Sequence, residues 1–266
     1  MPLGEVQSLK SRVVALLVAT IVCVLAVPFV SRHEATVAAA QSLDTETTDA
    51  GIEPSAVPNR ATSIDFDAAR AAGVSLDVLH LALSAIECGV RSGDLAAPPT
   101  LTLIDYSMPS TMPRLWVFDL RSGTMLFKEL VAHGKGTGDN MAERFSDDMN
   151  SHQSSLGLFV TADTYIGNNG YSLRLDGLEP GFNSRARERA IVMHGAAYVS
   201  AEFAAKQGRL GRSWGCPALS DAVARHVIDT VRGGGVVFSY YPDPAWLARS
   251  RFLHCGAKTD TVVATR

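Results

Sequence analysis

From Leu101 to Tyr240 the apolar residues come in short runs, each too brief for a long helix and each stopped by Gly, Asn, Asp or Pro. Leu101–Ile104, Leu115–Phe118 and Met125–Phe127 read as strands, the last two joined by a turn at Arg121-Ser122-Gly123. Leu158–Val160, Tyr171–Leu175, Ile191–Met193 and Val236–Tyr240 continue the series, with Gly167-Asn168-Asn169-Gly170 as one separator. Many short strands and few helices restrict this region to a mainly β sandwich or barrel. Two short helices decorate it, near Val199–Lys206 and Ser220–Arg232. In the second, Ser220 is placed to cap, Asp221 suits the positive end, and Val223, Val227 and Val231 repeat at helical spacing. Ahead of the strands, Leu76, Leu79, Leu83 and Ile86 mark an amphipathic helix with a stop at Gly89, expected to pack on the β domain.

The N-terminal part is different in kind. Val13–Val30 carries no charge, is apolar but for Thr20, and follows Lys10 and Arg12, the pattern of an export signal. Ala38-Ala39-Ala40 offers a cleavage site, yet the run also reaches the short end of a membrane span, so a cleaved signal peptide and a membrane anchor at residues 13–30 are both expected outcomes. Either places the rest of the chain outside the cytoplasm, in the periplasm or cell envelope. Residues 41–62, rich in Ser, Thr, Asp, Glu, Ala and Pro, read as a disordered linker. The expected division is therefore 1–40 signal or anchor, 41–62 linker, 63–98 helical segment, 99–253 β domain and 254–266 tail. A net charge of −3 without any Lys/Arg block gives no nucleic-acid surface. His133-Gly134-Lys135-Gly136-Thr137-Gly138 lacks the spacing of a phosphate loop.

The chemistry concentrates between Ile191 and Leu219. The run Ile191-Val192-Met193 should deliver His194 at a strand end, and Gly208, Gly211, Gly215 and Pro217 should hold Cys216 on a tight bend. A thiol beside an imidazole suits nucleophilic catalysis, with backbone N–H groups of the Gly215-Cys216 turn available to an oxyanion. The plain alternative is a small core cysteine and a satisfied strand-end histidine. His133, His194 and Cys216 could together ligand zinc, but no CxxC or HExxH pattern supports it, so neither metal nor organic cofactor is expected. Beyond the N-terminal run, Cys88, Cys216 and Cys255 make an odd count. With Cys216 as nucleophile, Cys88 and Cys255 remain either as a disulfide or as two unrelated thiols.

These residues carry a resemblance. His194-Gly195 followed by Ser213-Trp214-Gly215-Cys216 resembles the L,D-transpeptidase (YkuD-type) catalytic domain, in a divergent branch where Gly-Arg-Ser-Trp-Gly-Cys-Pro-Ala replaces the usual S-H-G-C-x-R. Asp105-Tyr106-Ser107, Trp116–Leu120, Ala132–Gly136, Ser154–Gly157, Gly170–Leu173, Arg189–Val192 and Tyr240-Tyr241-Pro242 extend the likeness over about Leu76 to Leu253. It implies a mainly β catalytic domain acting on peptidoglycan tetrapeptide stems. Cys216 would be nucleophile and His194 base, and a thioester would pass to an amine acceptor. Water as acceptor would make the protein an L,D-carboxypeptidase, and loss of catalysis would leave a peptidoglycan-binding envelope protein. Trp214 stands where histidine is usual, and Pro217-Ala218 where an arginine often follows. Substrate anchoring then falls to neighbours: Arg212 and Arg209 by proximity, Trp214 as a wall of the acyl pocket, with Ser213, Gly215, Gly195 and His133 around the cleft.

Overall fold

The computed structural model describes residues 64–255. The expected export segment and anchor at residues 13–30, the linker at 41–62 and the last eleven residues lie outside the described residues. Among the described residues, five helices and eight strands follow in the order α1 (Phe66–Ala71), α2 (Leu76–Arg91), β1 (Thr100–Asp105), β2 (Leu115–Asp119), β3 (Met125–Glu129), β4 (Gly157–Gly167), β5 (Gly170–Gly177), β6 (Val192–Gly195), α3 (Ala201–Gln207), β7 (Ala218–Leu219), α4 (Asp221–Val231), β8 (Val236–Tyr240) and α5 (Pro244–Arg249).

All eight strands join one sheet in the order β3-β2-β1-β8-β4-β5-β6-β7. β1 runs parallel to β8 and β6 to β7, and the other neighbours are antiparallel. The sheet curls until its edges almost meet. Past the end of β3, Ala132 N–H donates to Ala218 O at 2.9 Å, and Gly134 bridges Ser213 just ahead of β7. The result is a mainly β, nearly closed barrel with few short helices. Its seam is where Cys216 lies.

Both faces of the sheet are covered, which is why the strands read as short apolar runs rather than clean alternation. Leu101, Leu103, Trp116, Phe118 and Phe238 pack against Leu79, Ile86 and Trp246 from the helices. Ile104, Leu115, Val117, Phe159, Leu173 and Val237 face the other way, in a core shared with Val227, Ile228 and Val231 of α4. In α2, Ser75 Oγ accepts the Val78 N–H at 3.4 Å, and Cys88 near its end is bonded to Cys255 with the Cα atoms 5.6 Å apart.

Several local features depart from the sequence reading. β4 and β5 form a longer hairpin than their apolar runs suggest, because the distal half of β4 is solvated and carries no apolar pattern. β6 begins at Val192, not Ile191: Ala190 has a left-handed φ of 54° that turns the chain before the strand starts. Ser220 occupies the N-cap of α4, but its hydroxyl makes no cap hydrogen bond. α5 escaped the pattern altogether, being short; Asp243 starts it by accepting the Trp246 N–H at 2.7 Å. Among the described residues no helix is long and apolar enough to cross a membrane.

Candidate active site

β6 and β7 bring the side chains of the two candidate residues, His194 and Cys216, onto adjoining segments. His194 is in register with Ala218, and its N–H donates to Pro217 O at 3.4 Å, so its backbone anchor is one residue from Cys216. Extending the register by two residues sets Cys216 opposite Val192, and Val192 N–H accordingly donates to Cys216 Sγ at 3.4 Å.

The turn that presents Cys216 is fixed on every side. Ser213 Oγ accepts the Gly215 N–H at 3.1 Å and donates to Cys216 O at 2.6 Å. Ser154 Oγ donates to Gly215 O at 3.2 Å and accepts the Gly134 N–H at 3.0 Å. Gly215 has φ 119°, and a Cβ there would sit 2.7 Å from Gln153 O and 2.9 Å from Ile191 Cδ1, so only glycine fits. Gly134 also packs closely on this turn, where a Cβ would be 2.8 Å from Gly215 N. Because Ser213 takes the Gly215 N–H, that group is not free for an oxyanion. The Cys216 N–H has no acceptor among the described residues.

His194 is buried, and its Nδ1 lies 2.8 Å from Gly195 O. A carbonyl can only accept, so Nδ1 carries the proton and Nε2 keeps its lone pair. Burial holds the imidazole below its usual pKa, against the opposing pull of Gly195 O and the Asp221 charge, and it is neutral near pH 7. Gly195 itself has no room for a side chain, since a Cβ would meet Asp221 Oδ1 at 2.7 Å.

Cys216 is the free cysteine among the described residues and is also buried. Its Sγ rests against residues 190–192: besides the Val192 contact, the thiol donates to Ala190 O at 3.7 Å, and no hydrogen bond joins it to His194. Burial pushes the thiol pKa up, while the Val192 N–H and the Arg189 charge pull it down.

The remaining candidates separate into two groups. Trp214, two residues before Cys216, is 69% exposed, with His152 stacked on it at 4.9 Å and Lys135 Nζ 5.3 Å from its ring centre. Arg212 and Arg209 turn instead to one carboxylate, Asp139, at 2.6 and 3.8 Å. His133 is placed in the interior. It is 1% exposed, Arg114 Nη2 donates to its Nδ1 at 2.8 Å, and its Nε2–H donates to Gly138 O at 3.3 Å. Sequence reasoning did not single out Arg114 or His152, and it met Ser154, Lys135 and Arg189 only within motifs, without a role. Nothing local shows what they bind, because their partners lie far off in the chain. Among the described residues no three His, Cys, Asp or Glu side chains converge as a metal site would require.

A family model described as the L,D-transpeptidase catalytic domain matches residues 70–240. No curated protein matches the chain. Among solved structures, an L,D-transpeptidase from Mycobacterium smegmatis is 16% identical, with 54% of this chain and 59% of that one covered and a TM-score of 0.34. The LD transpeptidase LdtMt1 in complex with imipenem is 16% identical over 53% of this chain and 58% of that one, with a TM-score of 0.33. An L,D-transpeptidase from Stackebrandtia nassauensis is 14% identical over 60% and 66%, with a TM-score of 0.34. The chain thus spans less than two thirds of the length of each.

Proposed function

Because this chain belongs to the L,D-transpeptidase catalytic-domain family, we propose that it acts on the tetrapeptide stems of peptidoglycan through a thioester on Cys216. The observation that carries this reading is the pairing of β6 with β7, which sets a buried thiol and a neutral imidazole of fixed tautomer on adjoining segments. Rotation about χ1 releases the Cys216 S–H from Ala190 O and turns it towards His194. Nε2 takes the proton, and the sulfur attacks the carbonyl of the third, L-centred residue. The Cys216 N–H is the donor best placed to meet the oxyanion. The carbonyl–nitrogen bond breaks, and the departing D-amino acid receives the proton from the imidazolium. An amine from a second stem then attacks the thioester, forms a 3–3 cross-link and restores the thiol.

Export is part of the same proposal. The apolar run at residues 13–30 supports it, and so does the Cys88–Cys255 bond, which suits an oxidising compartment. A reporter fused after residue 62 and assayed on either side of the membrane tests it.

Intact-mass spectrometry of the chain from Gln41 onward, after incubation with imipenem, tests the nucleophile. The expected result is one covalent adduct that maps to Cys216 and is lost in Cys216→Ala. Tetrapeptide stems incubated with and without an acceptor amine then separate cross-linking from hydrolysis. A folded, reduced protein that neither forms the adduct nor turns over stems, yet binds sacculi both as wild type and as Cys216→Ala, would be a peptidoglycan-binding protein instead.

A further inference from the structure

The segment that faces the thiol begins with an arginine whose position the chemistry above does not explain. The Arg189 side chain is only 3% exposed. Nη1 donates to Ser146 O at 2.7 Å and Ser155 Oγ at 2.6 Å, and Nη2 donates to Gln153 O at 2.6 Å and Ser151 Oγ at 3.2 Å. These four acceptors are uncharged. The nearest carboxylate, Asp147, is 3.9 Å away. A buried guanidinium whose nearest counter-ion is the long ion pair to Asp147 is costly, and neutral donors could satisfy the same four acceptors.

Its place in the fold gives the charge a use. A Cβ on Gly215 would lie 3.4 Å from Arg189 Nη2, so the guanidinium sits directly behind the residue before the nucleophile. The next residue, Ala190, adopts its left-handed conformation and aims its carbonyl at the thiol, and Val192 presents its N–H to the same sulfur. Strained backbone of this kind is kept where surrounding structure over-determines it. Ala190 O is an acceptor for the protonated thiol only. The Val192 N–H and the guanidinium favour the ionised sulfur.

We propose that Arg189 is a positioning residue for Cys216: it fixes the Gly215 turn from behind and supplies the buried positive charge against which the sulfur ionises. The inference deepens the proposed function and rests on Cys216 being the nucleophile. Other ionisable groups near the thiol do not carry the charge instead. Burial pushes Tyr106 and Tyr198 up to about 12, and His194 is neutral near pH 7. Asp221 acts on His194 and Tyr198, while Asp147, Asp148 and Arg185 act on Arg189 itself.

The test is the pH dependence of Cys216 alkylation by iodoacetamide, in which the thiolate displaces iodide and no peptide substrate is needed. It is run on the wild type, Arg189→Met and Arg189→Lys, with folding checked by circular dichroism. Arg189→Met should move the midpoint of the profile up by about one unit, slowing alkylation at pH 7 about tenfold. Arg189→Lys keeps the charge without the fork of donors, so its midpoint should stay near that of the wild type even if its thermal stability falls. An unchanged midpoint in folded Arg189→Met overturns the proposal. If Arg189→Met does not fold, a one-unit rise in Arg189→Lys overturns it as well. Because alkylation needs no acyl donor, failure here is distinguishable from failure to form the imipenem adduct.

Discussion

His133 and His194 stand in identical His-Gly pairs and are both kept neutral by burial, yet their surroundings give them different work. Arg114, from β2's approach, donates to His133 Nδ1 and helps burial hold the ring down to about 4. An imidazole in the unfolded chain takes up its proton near pH 6.5, so between 6.5 and about 4 the unfolded state binds more protons. Stability therefore falls as pH drops through that window, by about 1.4 kcal/mol per unit and about 3 kcal/mol in all. Urea midpoints from pH 7 to 4.5 should show this slope, and His133→Gln should flatten it relative to the wild type. His194 has the same sign of shift and contributes in both proteins, so the difference isolates His133. The sequence singles out both histidines, and it is the family resemblance, not the local pattern, that ranks His194 ahead of His133. What separates the surroundings of the two rings is which atoms reach Nδ1, and Arg114 offers no local sign that it will be one of them. Cys216 was easier to read, because Gly215 and Pro217 restrict the backbone around it whatever the distant partners are.

Elements were legible where one face is apolar and hidden where neither is. α2 shows its period plainly because Leu79, Ala82 and Ile86 all face the sheet. The distal β4–β5 hairpin does not, since solvent reaches it and the ladder between the strands supplies the order that side-chain patterning would otherwise reveal. β7 is only two residues long, and it exists because β6 and the Ala132 segment flank it. α2 belongs to the same core as Trp116 and Phe238, so it behaves as a wall of the domain. Leu79 is fully buried there, and Leu79→Ala should cost about 2–5 kcal/mol in urea unfolding. The imipenem adduct at Cys216 should still form under native conditions, because the seam lies on the far side of the sheet from that helix.

At the scale of the whole molecule, backbone bonds between the Ala132 segment and β7 nearly close the barrel, and a covalent bond joins Cys88 of α2, ahead of the first strand, to Cys255, beyond the last. The crosslinked residues are 167 apart in sequence, and a loop of that size costs the unfolded chain about 5 kcal/mol in the entropy model, an upper figure for the stabilisation. Cys88→Ser/Cys255→Ser should lower unfolding stability by up to that amount while leaving the Cys216 adduct intact. Loss of the adduct in the folded double variant would mean that the bond also shapes the site. The mainly β architecture was readable from the spacing of short apolar runs; the near-closure was not, because it depends on two-residue contacts that leave no pattern. The Cys88–Cys255 bond has a mechanical consequence as well. A pull applied to the two ends of the chain passes from α2 straight across to Cys255, so all eight described strands and Cys216 sit inside a slack loop that carries no tension.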